Sequence, residues 1–278
     1  MKVASIPMLL RPVNAAIVYL AVVSGAATVT GSLADWRIMA GALSASLVLM
    51  SGNAINDVYD VESDRVNKPH RPLPRGDLTK RDAETISVVL AILAVVVGYM
   101  ININCFLVSI LYASVFYFYA VWLKPLGFIG NVVVSSGTGM SLIFGALTVN
   151  GITPTTLVFA VCAFILNLGR EIVKGVEDIE GDKVRNVRTV AMQYGVSAAG
   201  NLVVLFYAGL LLLSLLPFIL EFAGIGYFAA IAVADCLVAW AIYEASKITK
   251  ETAAKVSRMI KIAMAWGLFS FLIGALLR

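Results

Sequence analysis

The chain has 278 residues, 60% of them hydrophobic and only 14% charged, with a net charge of +4 and a mean hydropathy of +0.90. These figures exclude an ordinary soluble domain, and repeated apolar runs of about 18 or more residues define a multi-span membrane protein. The small positive charge suits a membrane surface and is too weak for nucleic acid, while the single histidine, His70, excludes a multi-His metal site or a Ser-His-Asp triad.

Nine apolar spans are predicted, over residues 12–30, 38–56, 83–101, 104–122, 128–149, 154–172, 194–216, 226–246 and 257–277. Lipid cannot satisfy free backbone groups, so each span must be a helix. The start, Met1 to Leu10, merges into the first span and lacks a small-residue cleavage site, so no removable signal is expected. Cys105, Cys162 and Cys236 all fall in apolar spans and are expected to be buried free thiols. With nine spans, the N-terminus and the loops after even-numbered spans share one side. That side holds 19 of the 21 Lys and Arg residues, and only Arg37 and Arg278 fall opposite. The positive-inside rule makes it cytoplasmic.

Two charged blocks interrupt the apolar sequence. The first follows span 2 and carries Asn53, Asn56, Asp57, Asp60 and Asp64. On a helix, Asn56, Asp60 and Asp64 stack about 6 Å apart on one face, with Asn53 and Asp57 on the adjoining stripe. The second follows span 6 and places Asp178 and Asp182 one turn apart. A solvated acidic face would account for one such block. Two of them, four helices apart, read as a parallel internal duplication in a single domain over residues 1–278, with both acidic turns at one cytoplasmic mouth.

Oxygen donors surrounded by Lys and Arg describe a site for Mg2+ and a polyphosphate. The basic candidates are Arg65, Lys68, Arg71, Lys124, Arg170, Lys174, Lys183 and Arg188, and Lys124 is the sole charge between spans 4 and 5. A diphosphate held at the mouth of an apolar bundle implies an amphiphile with its tail in the membrane, such as an allylic prenyl diphosphate. A secondary transporter or cation channel is the reading from another class. Against it, the charges cluster on one side and leave no matching pathway to the other.

Asn56-Asp57-x-x-Asp60-x-x-x-Asp64, followed by Arg71-Pro72-Leu73-Pro74-x-Gly76 and later Asp178-x-x-x-Asp182, resembles the membrane-embedded UbiA prenyltransferase superfamily over nearly the whole chain. Arg11-Pro12-x-Asn14, Arg170-Glu171-x-x-Lys174 and Glu177-Asp178-x-Glu180-Gly181-Asp182 look most like its archaeal ether-lipid branch, although Gly175 stands where that branch carries Asp. Members that use aromatic acceptors tend to have Asp where Gly181 stands. The resemblance implies that Asn56, Asp60 and Asp64 hold one Mg2+ and Asp178 and Asp182 another, with Lys124 on the diphosphate. Asn53, Asp57, Arg65 and Lys68 would support that set. It further implies transfer of a geranylgeranyl group from geranylgeranyl diphosphate to the free hydroxyl of geranylgeranylglyceryl phosphate. Arg170, Lys174 or Arg71 would hold the acceptor's phosphate, and Glu171 would take the hydroxyl proton. An aromatic acceptor from a quinone or tetrapyrrole pathway is the alternative. No protein partner is implied.

Span 4 places Tyr112, Phe116 and Tyr119 on one face, where rings stabilise an allylic cation, although packing and an interfacial belt also account for its rings. With Asn14 and Glu171 they form the expected acceptor pocket. Asp235, alone in span 8, reads as a paired or protonated structural acid, His70 as a loop side chain, and the basic residues from Lys247 to Lys261 as a surface facing lipid headgroups. Pro69, Pro72 and Pro74 bar helix there, so that segment is expected to cap the mouth as a lid.

Overall fold

The computed structural model describes residues 2–277, so the outer-side assignment of Arg278 lies outside the described residues. Nine helices are long and apolar enough to cross a membrane, and no strand occurs among the described residues. They are α1 (Pro12–Thr30), α2 (Trp36–Tyr59), α3 (Lys80–Ile101), α4 (Ile103–Phe118, continued as a span to Leu126), α5 (Phe128–Thr148), α6 (Pro154–Glu177), α7 (Val196–Ser214, continued as a span to Ile219), α8 (Ile225–Ser246) and α9 (Lys250–Leu276). The protein is an all-α, multi-pass membrane protein.

Hydropathy located every span and misplaced several ends, because polar helix ends carry no apolar signal. The Thr79 hydroxyl accepts from the Asp82 N–H at 3.1 Å while the Asp82 carboxylate accepts from the Thr79 N–H at 3.0 Å. This reciprocal cap starts α3 three residues before the predicted position. A similar box at Thr249 and Thr252 starts α9 at Lys250 rather than 257. At their other ends, α2 and α6 continue three and five residues beyond the apolar runs. Residues expected in loops, from Lys250 to Val256 and from Val173 to Glu177, are therefore helical.

α1 packs on α2, α5 and α9; α6 packs on α5, α7 and α9; and α8 joins α7 to α9. One apolar core fills the space among α6 to α9 around Phe159, Tyr207 and Tyr227, where the Phe159 and Phe271 rings stack at 4.0 Å. Cys105 and Cys162 are buried as expected, whereas Cys236 lies on the exposed face of α8. Asp235 is paired as expected, accepting from the Ser214 hydroxyl at 2.9 Å.

The loops segregate to two ends. At one, the Lys2 N–H donates to the Asp77 carbonyl at 2.9 Å and the Arg188 N–H to the Pro125 carbonyl at 3.1 Å. At the other, the Asn102 amide donates to the Leu147 carbonyl at 2.9 Å. The segment between Pro69 and Gly76 is non-helical, as its prolines require. It is not a loose lid: Leu73 and Leu78 are buried against Leu9, Val58 and Val61, pinning it to one side of the mouth.

This alternation predicts that Ser32→Cys and Arg75→Cys, both at exposed positions, label with an impermeant maleimide from opposite faces of sealed vesicles. The measurement uses a Cys236→Ser background, and labelling of both from one face would break the nine-span order.

Candidate active site

The two acidic motifs are built alike. α2 ends at Tyr59, Asp60 takes φ −90° and ψ 0°, and a short helix Val61–Asn67 follows. The helical hydrogen bonds run through the junction: the Asp60 N–H donates to the Asn56 carbonyl at 2.9 Å and the Asp64 N–H to the Asp60 carbonyl at 2.7 Å. The four-residue stacking of Asn56, Asp60 and Asp64 therefore survives. α6 ends at Glu177, Asp178 takes φ −95° and ψ 9°, and the helix Ile179–Val184 follows. There the Asp182 N–H donates to the Asp178 carbonyl at 2.9 Å.

Asn67 joins these two short helices. Its amide donates to the Asp178 carbonyl at 2.9 Å and accepts from the Gly181 N–H at 3.0 Å. A Cβ at residue 181 would run into the Asn67 side chain and lie 2.6 Å from the Ser63 carbonyl oxygen, so only glycine permits this approach. Lys68 reinforces the joint, donating to both Asp178 oxygens at 2.7 and 2.6 Å. Two motifs more than 100 residues apart thus meet at one end of the bundle.

Between them opens a cavity of about 670 Å³. On α2 its lining includes Ala45, Val48, Leu49, Gly52, Asn53 and Asn56, a single helical stripe. From Asp60 back to Ala45 it runs roughly 22 Å along the helix axis. The mouth is charged and the interior apolar, with Ile17, Val108, Phe144 and Met264 in its walls. α3, α7 and α8 contribute nothing to the lining of this cavity.

Most of the expected site residues line this space: Asn14, Asn53, Asn56, Asp60, Asp64, Lys68, Arg71, Tyr112, Phe116, Tyr119, Lys124, Arg170, Glu171, Lys174, Asp178 and Asp182. Two do not. Arg65 points outward and pairs with the equally exposed Glu62 at 2.7 Å. Asp57 is buried behind the wall, where it binds Arg11 and, at 3.2 Å, Arg71. Arg71 also binds Asp64 at 2.7 Å, beside the first acidic motif. Glu171, expected to take a proton, already accepts from Lys174 at 2.7 Å and Arg170 at 3.3 Å. Lys183 pairs with Glu180 at 3.3 Å, away from the cavity.

The rings of α4 divide between two faces. Tyr112, Phe116 and Tyr119 face the cavity, Phe116 meeting Tyr112 edge-on at 5.9 Å. Tyr117, Phe118 and Trp122 are exposed, and the last two stack at 5.1 Å as a lipid-facing belt.

Arg185 is the chief residue that sequence reasoning missed. It pairs with Asp60 on the side opposite Lys124 and also donates to the Ala120 carbonyl. A local cause explains that carbonyl. α4 closes in a π turn over Tyr119–Leu123, in which the Lys124 N–H bonds to the Tyr119 carbonyl. The next residue, Pro125, has no N–H to offer Ala120. Arg185 fills the gap, and the turn delivers Lys124 to Asp60. Gly127, at φ +62°, is required because a side chain there would strike the Arg188 carbonyl and lift this loop off the Arg185 segment. In the sequence Arg11 stands out only as part of a motif. It sits at φ +54° between a short helix and α1, and ties Asn53 and Asp57 to the wall.

The charges are unevenly balanced. Burial opposes ionisation of Asp60, but Lys124 and Arg185 outweigh it and hold the carboxyl down at about 2. Burial pushes the Asp182 carboxyl up to about 6; Lys124 opposes that push, and Asp178 and Asp60 add to it.

Among the described residues no three Asp, Glu, His or Cys side chains converge on one point. Oxygen donors come two carboxylates to a motif, Asp60 with Asp64 and Asp178 with Asp182. Beside the first pair, the Asn56 amide donates to Asp60 at 2.5 Å, which leaves its Oδ1 buried with no hydrogen-bond partner. An oxygen-only set with one or two carboxylates per ion fits Mg2+, which keeps waters and bridges to phosphate.

The fold and site are those of a membrane-embedded prenyl-transfer enzyme. The sequence profile of the UbiA prenyltransferase family matches residues 17–273, and the chain belongs to that family. It is 38% identical to the digeranylgeranylglyceryl phosphate synthase of Thermococcus sibiricus over 272 residues, 96% of each chain. It is also 38% identical to that of Korarchaeum cryptofilum, over 95% of this chain and 94% of the relative. A solved structure of digeranylgeranylglyceryl phosphate synthase superimposes with a TM-score of 0.78 at 32% identity, covering 100% of this chain and 99% of the other. A UbiA homologue from Archaeoglobus fulgidus, solved with GPP and Mg2+, shares the fold at a TM-score of 0.67 and 17% identity, over 96% of this chain and 99% of the other.

The Asn67 joint predicts that Gly181→Asp, by forcing the two short helices apart, destabilises the protein by about 2 kcal/mol. Thermal unfolding of the purified variant measures this, and an unchanged midpoint would mean that the contact is slack.

Proposed function

We propose that this protein transfers a geranylgeranyl group from geranylgeranyl diphosphate to the free hydroxyl of geranylgeranylglyceryl phosphate, forming the second ether bond of an archaeal membrane lipid. The observation that carries this reading is the meeting of the two acidic motifs over one deep, apolar-walled cavity. Relatives at 38% identity named for this reaction support the choice of substrates. The whole chain, residues 1–278, acts as one domain, with its charged mouth on the cytoplasmic side, where the basic loops lie.

Asn56, Asp60 and Asp64 would hold one Mg2+ and Asp178 and Asp182 a second, and bound Mg2+ supplies neutralisation of the charge that grows on the departing diphosphate. Lys124, Lys68, Arg71 and Arg185 stand beside these carboxylates, so the same side chains can turn to diphosphate oxygens. Asp57 and Asn53 act at one remove, by fixing Arg11 and Arg71. The apolar lower cavity takes the prenyl tail and keeps water from the allylic carbon. Tyr112, Phe116 and Tyr119 present ring faces where positive charge develops on that carbon. The acceptor oxygen forms its bond to C1 as the C1–O bond to diphosphate breaks, and the hydroxyl proton passes to the Glu171 carboxylate. Glu171, bound by two cations, is a weak base, and a strong one is not needed because the leaving-group bond is largely broken when the hydroxyl attacks.

Purified protein given Mg2+, labelled geranylgeranyl diphosphate and geranylgeranylglyceryl phosphate should yield the doubly alkylated phospholipid, identified by mass spectrometry. Transfer to 4-hydroxybenzoate in its place would overturn the acceptor assignment. Asp60→Ala and Asp178→Ala should each lower the rate by about 10²–10³ or more, with the variants still folded.

The proton on Asp182 sets a pH dependence. A carboxyl must ionise to bind metal, so a group at about 6 stays available at pH 7.5 and is mostly protonated at pH 5. The Mg2+ concentration for half-maximal activity should rise about tenfold over that interval, while Asp60, already ionised, contributes nothing. A flat Mg2+ requirement would remove Asp182 from the metal set.

A further inference from the structure

The basic residues around the cavity fall into two sets. Lys68, Arg71 and Lys124 in the lining, and Arg185 behind it, each close on a carboxylate of the acidic motifs, as Arg11 closes on Asp57. Arg170 and Lys174 on α6, and Arg258 and Lys261 on α9, line the same cavity without touching those carboxylates. The two helices pack directly against each other, and of the α9 pair Lys261 is half-buried while Arg258 is exposed at the edge of the cavity.

This second set is short of counter-charge. Its one bound carboxylate is Glu171, shared between Lys174 at 2.7 Å and Arg170 at 3.3 Å. The Arg170 Nε is buried with no hydrogen-bond partner. Among the described residues neither Arg258 nor Lys261 makes an ion pair, and Glu177, further along α6, makes none with any of the four. Lys261 instead feels the positive charges of Arg170, Arg11 and Lys174. Four cations against one carboxylate, walled partly by apolar side chains, repel one another until an anion lies among them. Lys174 and Arg170 stand four and eight residues before Asp178, roughly 6 and 12 Å deeper along α6. That anion is therefore distinct from one held by the acidic motifs.

We infer that Arg170, Lys174, Arg258 and Lys261 form a second anion site that takes the phosphate monoester of the acceptor lipid and thereby selects a phosphorylated acceptor over its alcohol. The inference rests on the lipid-acceptor reading above. Guanidinium forks and ammonium groups from two facing helices suit the three terminal oxygens of a phosphate monoester. Gripping the acceptor by its phosphate leaves its hydroxyl free to approach the donor.

Equilibrium binding without donor tests it, using geranylgeranylglyceryl phosphate, geranylgeranylglycerol and inorganic phosphate as probes. Wild type should bind the phosphorylated lipid at least about tenfold more tightly than the alcohol. Arg258→Gln and Lys261→Met should each cut that preference by about fivefold or more, and Lys261→Arg should keep it. Binding of geranylgeranyl diphosphate with Mg2+ should stay within about twofold of wild type in all three variants, which also reports their folding. Equal affinity for the two lipids, or a preference the substitutions leave unchanged, overturns the inference. Inorganic phosphate binding as tightly as the phospholipid would also overturn it, making this a site for free phosphate. Wild-type protein that discriminates as expected but transfers no prenyl group would defeat the proposed reaction and leave the anion site standing.

Discussion

Everything at the mouth of this protein depends on the cost of ionised carboxylates near a hydrocarbon interior. Asp57, Asp60, Asp64 and Asp182 are all buried, and the chain meets that cost by pairing rather than by exposure. Arg11 and Arg71 serve Asp57, Arg71 also serves Asp64, Lys124 and Arg185 serve Asp60, and Lys68 serves Asp178. The pairs cross the fold: Lys68 follows α2 and binds the end of α6, while Arg185 follows α6 and binds the end of α2. The electrostatic requirement therefore also fixes the tertiary structure, drawing two halves of the chain over one cavity. Asp182 has the weakest provision: among the described residues it makes no ion pair, and burial pushes its carboxyl up.

Much of this was legible in the sequence. Nine apolar runs give nine helices because lipid leaves the backbone no alternative. The spacing of Asn56, Asp60 and Asp64 identifies a stacked donor set because the helical hydrogen bonds run on through Asp60. Lys124 stood out because no other charge competes with it in its loop. What stayed illegible is which way a side chain faces where charge is dense. Arg65 and Lys68 are three residues apart in one basic run, yet one reaches solvent and the other reaches Asp178. Arg185 lies among five basic residues of the second block, and nothing local marks it. Its role is set by the Ala120 carbonyl, which a π turn and a proline leave unsatisfied 65 residues away.

Arg258 and Lys261 illustrate a different failure. A hydropathy window begins the ninth span at 257, and the basic residues from Lys247 to Lys261, these two included, read as a surface facing lipid headgroups. The cap at Thr249 starts the helix earlier, so these residues sit two and three turns inside it, at the edge of the cavity. Gly181 is the converse case: the resemblance marked it as a feature of one branch, and the structure supplies the reason in the close approach of Asn67. A residue that looks like a specificity marker is, at this level, a packing requirement between two short helices.

The turn over Tyr119–Leu123 carries one residue more than an ordinary helical turn. Deleting any single residue there would let the segment relax to regular α-helix, rotating all that follows by about 100°. Lys124 would swing off Asp60, and the Ala120 carbonyl would lose its geometry with Arg185. The insertion thus works as a phase shifter: it lets the Phe118 and Trp122 belt keep its register with lipid while the next ammonium group keeps its register with the cavity, two demands that a uniform helix of this sequence does not meet together.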